Sequence, residues 1–356
     1  MRVLIRADAS LQIGTGHVMR CLTLAKALRR EGVVCEFLCR PQPGDRIGLI
    51  EDQGFTAKQL PPLPPPAIPL DGYLAWLGTT EEADAQHSLD AIQGIYDLMI
   101  VDHYALSAIY EGCLRPACRR IMAIDDLANR KHDCDLLLDQ NLLPDMAIRY
   151  RGLLPEHCHT LLGPEYALLR DEYCQTAVPR SDTPQLLINF GGNDIYGLTM
   201  LALDVIETLD IPKLKVDIVI ADTHPQLEAI TQRCDHLPQV QLHRQINHMA
   251  KLMQQATLML GTGGTTHWER CATRLPSLII TVAENQLATT KHLHELGVCI
   301  WLGNDEDIDA QGLRQAVEHT INNATARRQM SERCKHVMTD GNGAQKVARV
   351  ITHHAW

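Results

Sequence analysis

The residues best placed to do chemistry lie within the first 25 positions. ADASLQIGTGHVMRCLTLA (7–25) sets Gly14 and Gly16 just before His17, with Asp8, Ser10 and Arg20 close by. Glycines let the backbone turn tightly and approach a ligand closely. His17 then falls in the first turn of a helix, where free N–H groups favour an anion. That setting suits a histidine acting as general base. The plainer alternative is a glycine turn with a capping histidine.

A second set lies past residue 186. In LINFGGND (187–194), Gly191, Gly192 and Asn193 follow a strand and form a cradle for phosphate. No lysine stands where a Walker motif needs one, and the fuller GxGxxG fingerprint is missing, so nicotinamide cofactors are not expected. In LMLGTGGTTHWERCA (258–272), Gly261, Gly263 and Gly264 end a strand, and Thr265 and Thr266 are expected to cap the next helix. Their hydroxyls and the freed amides suit a diphosphate. Glu269, one turn further on, can accept both hydroxyls of a ribose. In TVAENQLATT (281–290), Glu284, Asn285 and Gln286 suit a nucleobase or sugar hydroxyl.

Two further clusters sit in the first half, in IVDHY (100–104) and AIDDLANRKHDCD (123–135). His103, Tyr104 and Asp125 are expected to line a sugar pocket, with Asp126 and His132 nearby. Histidine and aspartate can bind metal, but the spacing fits no particular metal site, and no metal or cofactor is expected.

These motifs need elements to hold them. Strands are expected at 3–7, 33–39, 98–101 and 121–124, with helices over 17–30 and about 81–93. LPPLPPPAIPL (60–70) must be a surface loop, because proline lacks a donor and fixes its own backbone. After an arrhythmic stretch the alternation restarts, with strands at 186–190, 216–220, 240–242, 258–260, 278–281 and 299–302. A helix is expected over 198–209, and helical structure from Asp309 with a break at Gly341 and Gly343. Strand–helix alternation in both halves predicts an α/β protein of two Rossmann-like, doubly wound parallel sheets facing a cleft. The expected divisions are a first domain over 1–160, a linker over 161–183, and a second domain over 184–340. A helix over 341–356 could cross back to the first domain.

Composition bounds the function. The chain has 356 residues and a formal net charge of -10, which argues against a nucleic-acid partner. Its twelve cysteines include no CxxC pair and read as free thiols of a reducing cytoplasm. The opening MRVLIRAD reads as a strand, not a signal peptide, and no apolar run is long enough to span a membrane.

Together, RADASLQIGTGHVMRCLTLA, VDHY, DDLANRKHDCDLLLDQN, GPEYALLRDEY (163–173), GGND, GGTTHWE and AENQ resemble the UDP-2,4-diacetamido-2,4,6-trideoxy-β-L-altropyranose hydrolases of bacterial pseudaminic acid synthesis. The resemblance runs from the first residue to about Gly297. It implies a GT-B glycosyltransferase fold, similar to the N-acetylglucosaminyltransferase of peptidoglycan synthesis. It also implies His17 as catalytic base, Tyr104 and Asn285 near the sugar, and Glu269 on the UDP ribose. The expected enzyme is a monomeric, metal-independent, inverting UDP-sugar hydrolase. Three alternatives stay open: a GT-B glycosyltransferase, a UDP-sugar 2-epimerase, and a nucleotide-sugar-binding module without catalysis.

Overall fold

The computed structural model describes residues 1–64, 70–174 and 183–353. The chain forms two compact units. Met1–Asn141, Asp145–Arg170 and the segment from Asn342 make the first, and Leu142–Pro144 with Asp171–Gly341 make the second.

Unit 1 runs β1 (Arg2–Ala7), α1 (Gly16–Arg30), β2 (Val34–Cys39), α2 (Ile47–Asp52), β3 (Thr56–Gln59), α3 (Leu74–Leu77), α4 (Glu81–Ala91), β4 (Leu98–Asp102), α5 (Ala108–Leu114), β5 (Ile121–Ile124), β6 (Leu136–Asp139) and β7 (His159–Leu162). Its sheet has the order β3-β2-β1-β4-β5-β6-β7 with every pairing parallel. Side chains alternate across a strand. Val3 and Ile5 of β1 therefore join α1 residues Leu24 and Leu28 in one core, while Leu4 joins Met99, Val101 and Leu137 in the core on the other face. Burial on both faces explains why these strands read as nearly unbroken apolar runs.

Unit 2 runs β8 (Gln185–Asn189), α6 (Leu198–Ile206), β9 (Lys215–Ile220), α7 (Leu227–Asp235), β10 (Val240–Arg244), α8 (Met249–Gln255), β11 (Leu258–Thr262), α9 (Thr266–Ala272), β12 (Ser277–Thr281), α10 (Glu284–Glu295), β13 (Ile300–Asn304), α11 (Ala310–Asn322) and α12 (Ala324–Val337). The sheet order is β10-β9-β8-β11-β12-β13, again parallel. Leu186, Ile188, Ile218 and Leu260 pack with Leu203 of α6 and Leu313 and Val317 of α11.

Between α12 and the last helix, α13 (Gly343–His353), the chain passes back into unit 1. Ala344, Val347, Ala348 and Ile351 of α13 enter the same core as α1. Gly343 is glycine for a local reason: a Cβ there would strike the backbone of Ala167 and Tyr166.

Two strands were not expected, β6 before the arrhythmic stretch and β7 within it. β6 is a four-residue run behind a charged loop, and the short edge strand β7 is largely exposed. Unit 1 continues to Arg170, inside the segment expected as a linker, and unit 2 begins at Asp171. Of the expected proline loop and linker, positions 65–69 and 175–182 lie outside the described residues.

Candidate functional site

In each sheet the connections change direction once, between β1 and β4 in unit 1 and between β8 and β11 in unit 2. The carboxyl ends of strands at such a point leave a crevice in which open α/β sheets hold ligands. Most of the expected site residues lie at these two points, one group in each unit, while Asp125 follows β5 and Asn285 and Gln286 follow β12.

In unit 1, Ser10 shapes the turn before α1. Its Oγ accepts from the amides of Gln12 and Ile13, and its carbonyl accepts from Gly14 at 2.9 Å. Gly14 has φ +77°, a backbone region that side chains disfavour. Open space surrounds the position a Cβ would take at Gly16, so nothing of the protein crowds the start of α1.

His17 follows, 7% exposed. Its Nδ1 lies 2.6 Å from Oδ1 of Asp102, which ends β4. Register sets this meeting, since Ala7 of β1 pairs with Asp102. Arg20, one turn along α1, clamps the same carboxylate with Nε at 2.7 Å and Nη2 at 2.6 Å, and Cys21 Sγ donates to it at 3.3 Å. Burial alone would raise the Asp102 pKa, but Arg20 and His17 outweigh it and hold it well below the usual carboxylate range. An ionised carboxylate only accepts, so the proton between the two groups sits on His17 Nδ1. In the neutral ring Nε2 then carries a lone pair, and it has no partner among the described residues.

Arg20 also reaches Asp126 at 3.1 Å. Asp126 is hydrogen-bonded to Tyr104, whose buried hydroxyl is held well above its usual pKa first by burial and then by that carboxylate. The Tyr104 ring meets His17 edge-on, with centroids 4.7 Å apart and planes at 83°. His17, Asp102, Arg20, Asp126 and Tyr104 thus form a closed circuit. Asp102 is the member the sequence reading missed. VDHY contained it, but nothing local marks a strand-end aspartate as the partner of a histidine 85 positions earlier.

Three expected substrate contacts face inward instead. Asp8 is 1% exposed, and its Oδ1 accepts from Arg6 at 2.5 Å and from the Arg40 amide at 2.7 Å. Arg6 and Arg40 also share Asp84, giving a buried group of two cations and two anions beneath the turn. His103 accepts from the Ala105 amide at Nδ1, and its Nε2 lies 3.8 Å from Asp8 Oδ2, both atoms without a hydrogen-bond partner among the described residues. Burial lowers the His103 pKa to about 4. Asp125 is fully buried and accepts from Arg130, the Ala128 amide and Tyr150. At the carboxyl ends of inner strands, the buried carboxylates of Asp8 and Asp125 pair with Arg6 and Arg130, because a buried charge is costly unless paired. No group of three or more His, Cys, Asp or Glu suited to a metal occurs among the described residues.

In unit 2, Gly191 has φ +90° with open space around it, and Gly192 packs against Ala221. Asn193 accepts from Thr223 at 2.8 Å. Asp194 closes the turn by accepting from the amides of Leu198 and Thr199 at the start of α6. The neighbouring strand β11 leads into the glycine turn. A side chain at Gly261 would strike the Asn189 carbonyl, and one at Gly263 would strike Gln286 and Thr290 of α10. Gly264 is open, with φ +91°.

The expected threonine caps are absent. Thr265 stands at the cap position in α-helical conformation with no side-chain cap bond. The hydroxyls of Thr265 and Thr266 therefore have no partner among the described residues. Glu269 is half-buried on α9. Beside it, Arg270 is 2% exposed and donates to the Thr262 carbonyl and to His267 Nδ1, with no carboxylate bonded to it among the described residues. His267 in turn reaches Thr290 at 2.9 Å. Asn285 and Gln286 lie in the first turn of α10; Asn285 is exposed, while Gln286 accepts from the Val282 amide. A separate groove, lined by Lys215, Asp217, His243, His248 and Lys251, opens toward the amino ends of β8–β10, away from these loops.

The chain matches no protein-family profile. It is 27% identical over 300 residues to the UDP-2,4-diacetamido-2,4,6-trideoxy-β-L-altropyranose hydrolase of Campylobacter jejuni, covering 83% of this chain and 97% of that protein. Among solved structures it is similar to the calicheamicin glycosyltransferase, with TM-score 0.64, 16% identity, and 98% and 97% of the two chains covered. It is also similar to a protein of Listeria monocytogenes described as a putative UDP-N-acetylglucosamine 2-epimerase, with TM-score 0.63, 10% identity, and 99% and 96% covered. These similarities assign the fold: two Rossmann-like domains of the GT-B type. No helix among the described residues is long and apolar enough to cross a membrane.

Proposed function

We propose that this chain is an enzyme acting at the anomeric carbon of a UDP-linked amino sugar, with His17 as general base. The observation that carries the reading is the 2.6 Å contact from His17 Nδ1 to Asp102. It fixes the tautomer and leaves Nε2 to take a proton from an attacking oxygen nucleophile. The amides and hydroxyls around Gly191, Gly264, Thr265 and Thr266 suit a diphosphate, and Glu269 suits the ribose of UDP. Arg270 adds positive charge behind the glycine turn.

We take water as the nucleophile. The sequence relative that spans nearly the whole of its own length is a hydrolase. Attack by water in a single displacement would invert the anomeric centre through an oxocarbenium-like transition state. UDP is a good leaving group, so backbone amides suffice to stabilise its departure. The fold itself more broadly favours a second reading, transfer to an acceptor hydroxyl or epimerisation at carbon 2, since its solved neighbours include a transferase and a protein described as a 2-epimerase.

Proton NMR of the purified chain with UDP-2,4-diacetamido-2,4,6-trideoxy-β-L-altropyranose separates these readings. Prompt release of UDP and of free sugar, the inverted anomer first, is expected. UDP release only after an acceptor is added would replace hydrolysis with transfer, and a new carbon-2 isomer would replace it with epimerisation.

A further inference from the structure

Most of the cysteines are buried, and a thiol enclosed by apolar side chains is inert. Cys158 is partly exposed, and its Sγ lies 3.6 Å from that of Cys134, which is fully buried. Neither has a part in the chemistry around His17. Backbone pairing holds the two side by side. Cys134 stands two residues before Leu136 of β6, Cys158 stands one residue before His159 of β7, and Leu136 and His159 are register partners. The His132 amide donates to the Leu153 carbonyl and the His159 amide to the Asp135 carbonyl, both at 2.9 Å, so the two segments are tied on either side of the thiols. Adjacent strands run about 4.8 Å apart, within the about 4.4–6.8 Å between Cα atoms that a disulfide spans. The sulfurs need to approach by only roughly 1.5 Å to reach bonding distance.

The two thiols differ in what they can do. The contact with Cys158, and then burial, hold the Cys134 thiol far above its usual pKa, so it keeps its proton. Cys158 donates to the His159 carbonyl at 3.4 Å and is the sulfur an oxidant can reach. We propose that Cys134 and Cys158 are a reversible redox modification site, which a hydroperoxide converts to a disulfide. The Cys158 thiolate attacks a peroxide oxygen; an S–O bond forms, the O–O bond breaks, and with hydrogen peroxide the leaving group departs as water. The Cys134 sulfur then attacks the Cys158 sulfur. The S–S bond forms, the S–O bond breaks, and the Cys134 proton leaves with the departing oxygen as a second water. The two thiols are oxidised by two electrons and the peroxide is reduced by two. The bridge closes the segment carrying Arg149, which donates to the Asp126 carbonyl at 3.2 Å, and Tyr150, which donates to Asp125 at 3.0 Å. Oxidation thus fastens the segment that braces the His17 circuit, and it spares Cys158 the irreversible sulfinic state.

The test treats the reduced full chain with hydrogen peroxide, blocks remaining thiols with N-ethylmaleimide in urea, and digests with trypsin without reduction. Cleavage after Lys131, Arg149, Arg151 and Arg170 puts the two thiols on separate peptides, 132–149 and 152–170, each with one cysteine. Mass spectrometry should find these two joined, two hydrogens lighter than their sum, and separated again by dithiothreitol. Cys158 recovered as sulfinic acid with Cys134 alkylated overturns the proposal. So does recovery of both as alkylated thiols at a peroxide dose that oxidises the exposed Cys113. Cys134→Ala should stop Cys158 at the sulfenic acid, captured by dimedone, with that label lost in the wild type; equal labelling of the two proteins counts against a resolving role for Cys134 and overturns the pair. Cys158→Ser changes a partly exposed position and keeps the test open if the core variant does not fold. It should leave Cys134 unoxidised at the dose that joins the wild-type peptides, and oxidation of Cys134 at the wild-type rate would remove Cys158 as the point of entry.

Discussion

Replacing Asp102 by asparagine isolates the orienting partner of the base. Both carboxylate oxygens are committed: Oδ1 to His17 Nδ1 and Arg20 Nη2, and Oδ2 to Arg20 Nε and Cys21. An amide has one oxygen and one NH2. If the NH2 takes the Oδ1 position, it faces His17 and turns Nδ1 into an acceptor, so the proton moves to Nε2 and the base is lost. If it takes the Oδ2 position, it faces the Arg20 guanidinium donor to donor. Neither orientation restores the native arrangement. A positioned general base contributes about 10²–10⁴-fold, or about 3–5 kcal/mol of barrier. The kcat for UDP release should fall by that factor, with KM changed less than about threefold, because the groups proposed to hold UDP lie in unit 2. Asp102→Asn will also destabilise the fold, since it disturbs a buried charge pair. The decisive measurement is therefore a double-mutant cycle with His17→Ala, on protein shown folded by circular dichroism. If Asp102 acts through His17, adding Asp102→Asn to His17→Ala should cost little further rate. A folded Asp102→Asn enzyme with kcat within about fivefold of wild type would refute the argument, and so would full additivity of the two losses.

Further predictions follow from other parts of the structure. Glu269→Gln should weaken UDP binding by about tenfold to a hundredfold, the worth of hydrogen bonds to a charged group, and erase any preference for UDP over 2′-deoxy-UDP in titration calorimetry. If that preference survives, Glu269 does not hold the ribose. Gly343→Ala should lower stability by about 1–3 kcal/mol through the forced clash with the Ala167 backbone, read as a lower urea midpoint. An unchanged midpoint would show that α13 docks loosely. His103 supplies a pH dependence: above pH 6.5 it is neutral folded and unfolded, and between 6.5 and about 4 only the unfolded chain takes the proton. Unfolding free energy should therefore fall on acidification through that window, by at most about 3 kcal/mol from this group. Asp139, which burial raises to about 6 despite Arg149 at 2.6 Å, acts in the opposite direction. The test is thus the difference between wild type and His103→Gln, which should shrink as the pH drops from 7 to 4.5; a constant difference would contradict it.

What the sequence revealed was local. Gly14, Gly191 and Gly264 could be read because positive φ is a property of one residue, and His17 because it follows such a turn directly. Strands buried on both faces, such as β1 and β4, announced themselves as apolar runs. What stayed hidden was set by distant contact. Asp102 became the partner of His17 only through the pairing of β1 with β4. Asp8 and His103 looked like pocket residues, yet the sheet brings Arg6, Arg40 and Asp84 to the same spot and draws Asp8 into a buried charge group. The stacking of Trp76 on Tyr104, 28 positions on, gave no signal because no spacing encodes it. β7 escaped because an edge strand with exposed residues carries little hydrophobic pattern.

The return of α13 to the first unit has a bearing on how the protein is made. Val347 and Ile351 belong to the same core as Leu24 and Leu28 of α1, the helix that carries His17. During synthesis the ribosome delivers the residues of unit 2 before α13 emerges, so the second unit can close while the first still lacks one wall. The helix that holds the proposed base is then the last to gain its full packing. A chain ending at residue 341 would keep every residue of the second unit yet lack α13, leaving the core of the first unit open beside α1, an intermediate exposed to chaperones and proteases.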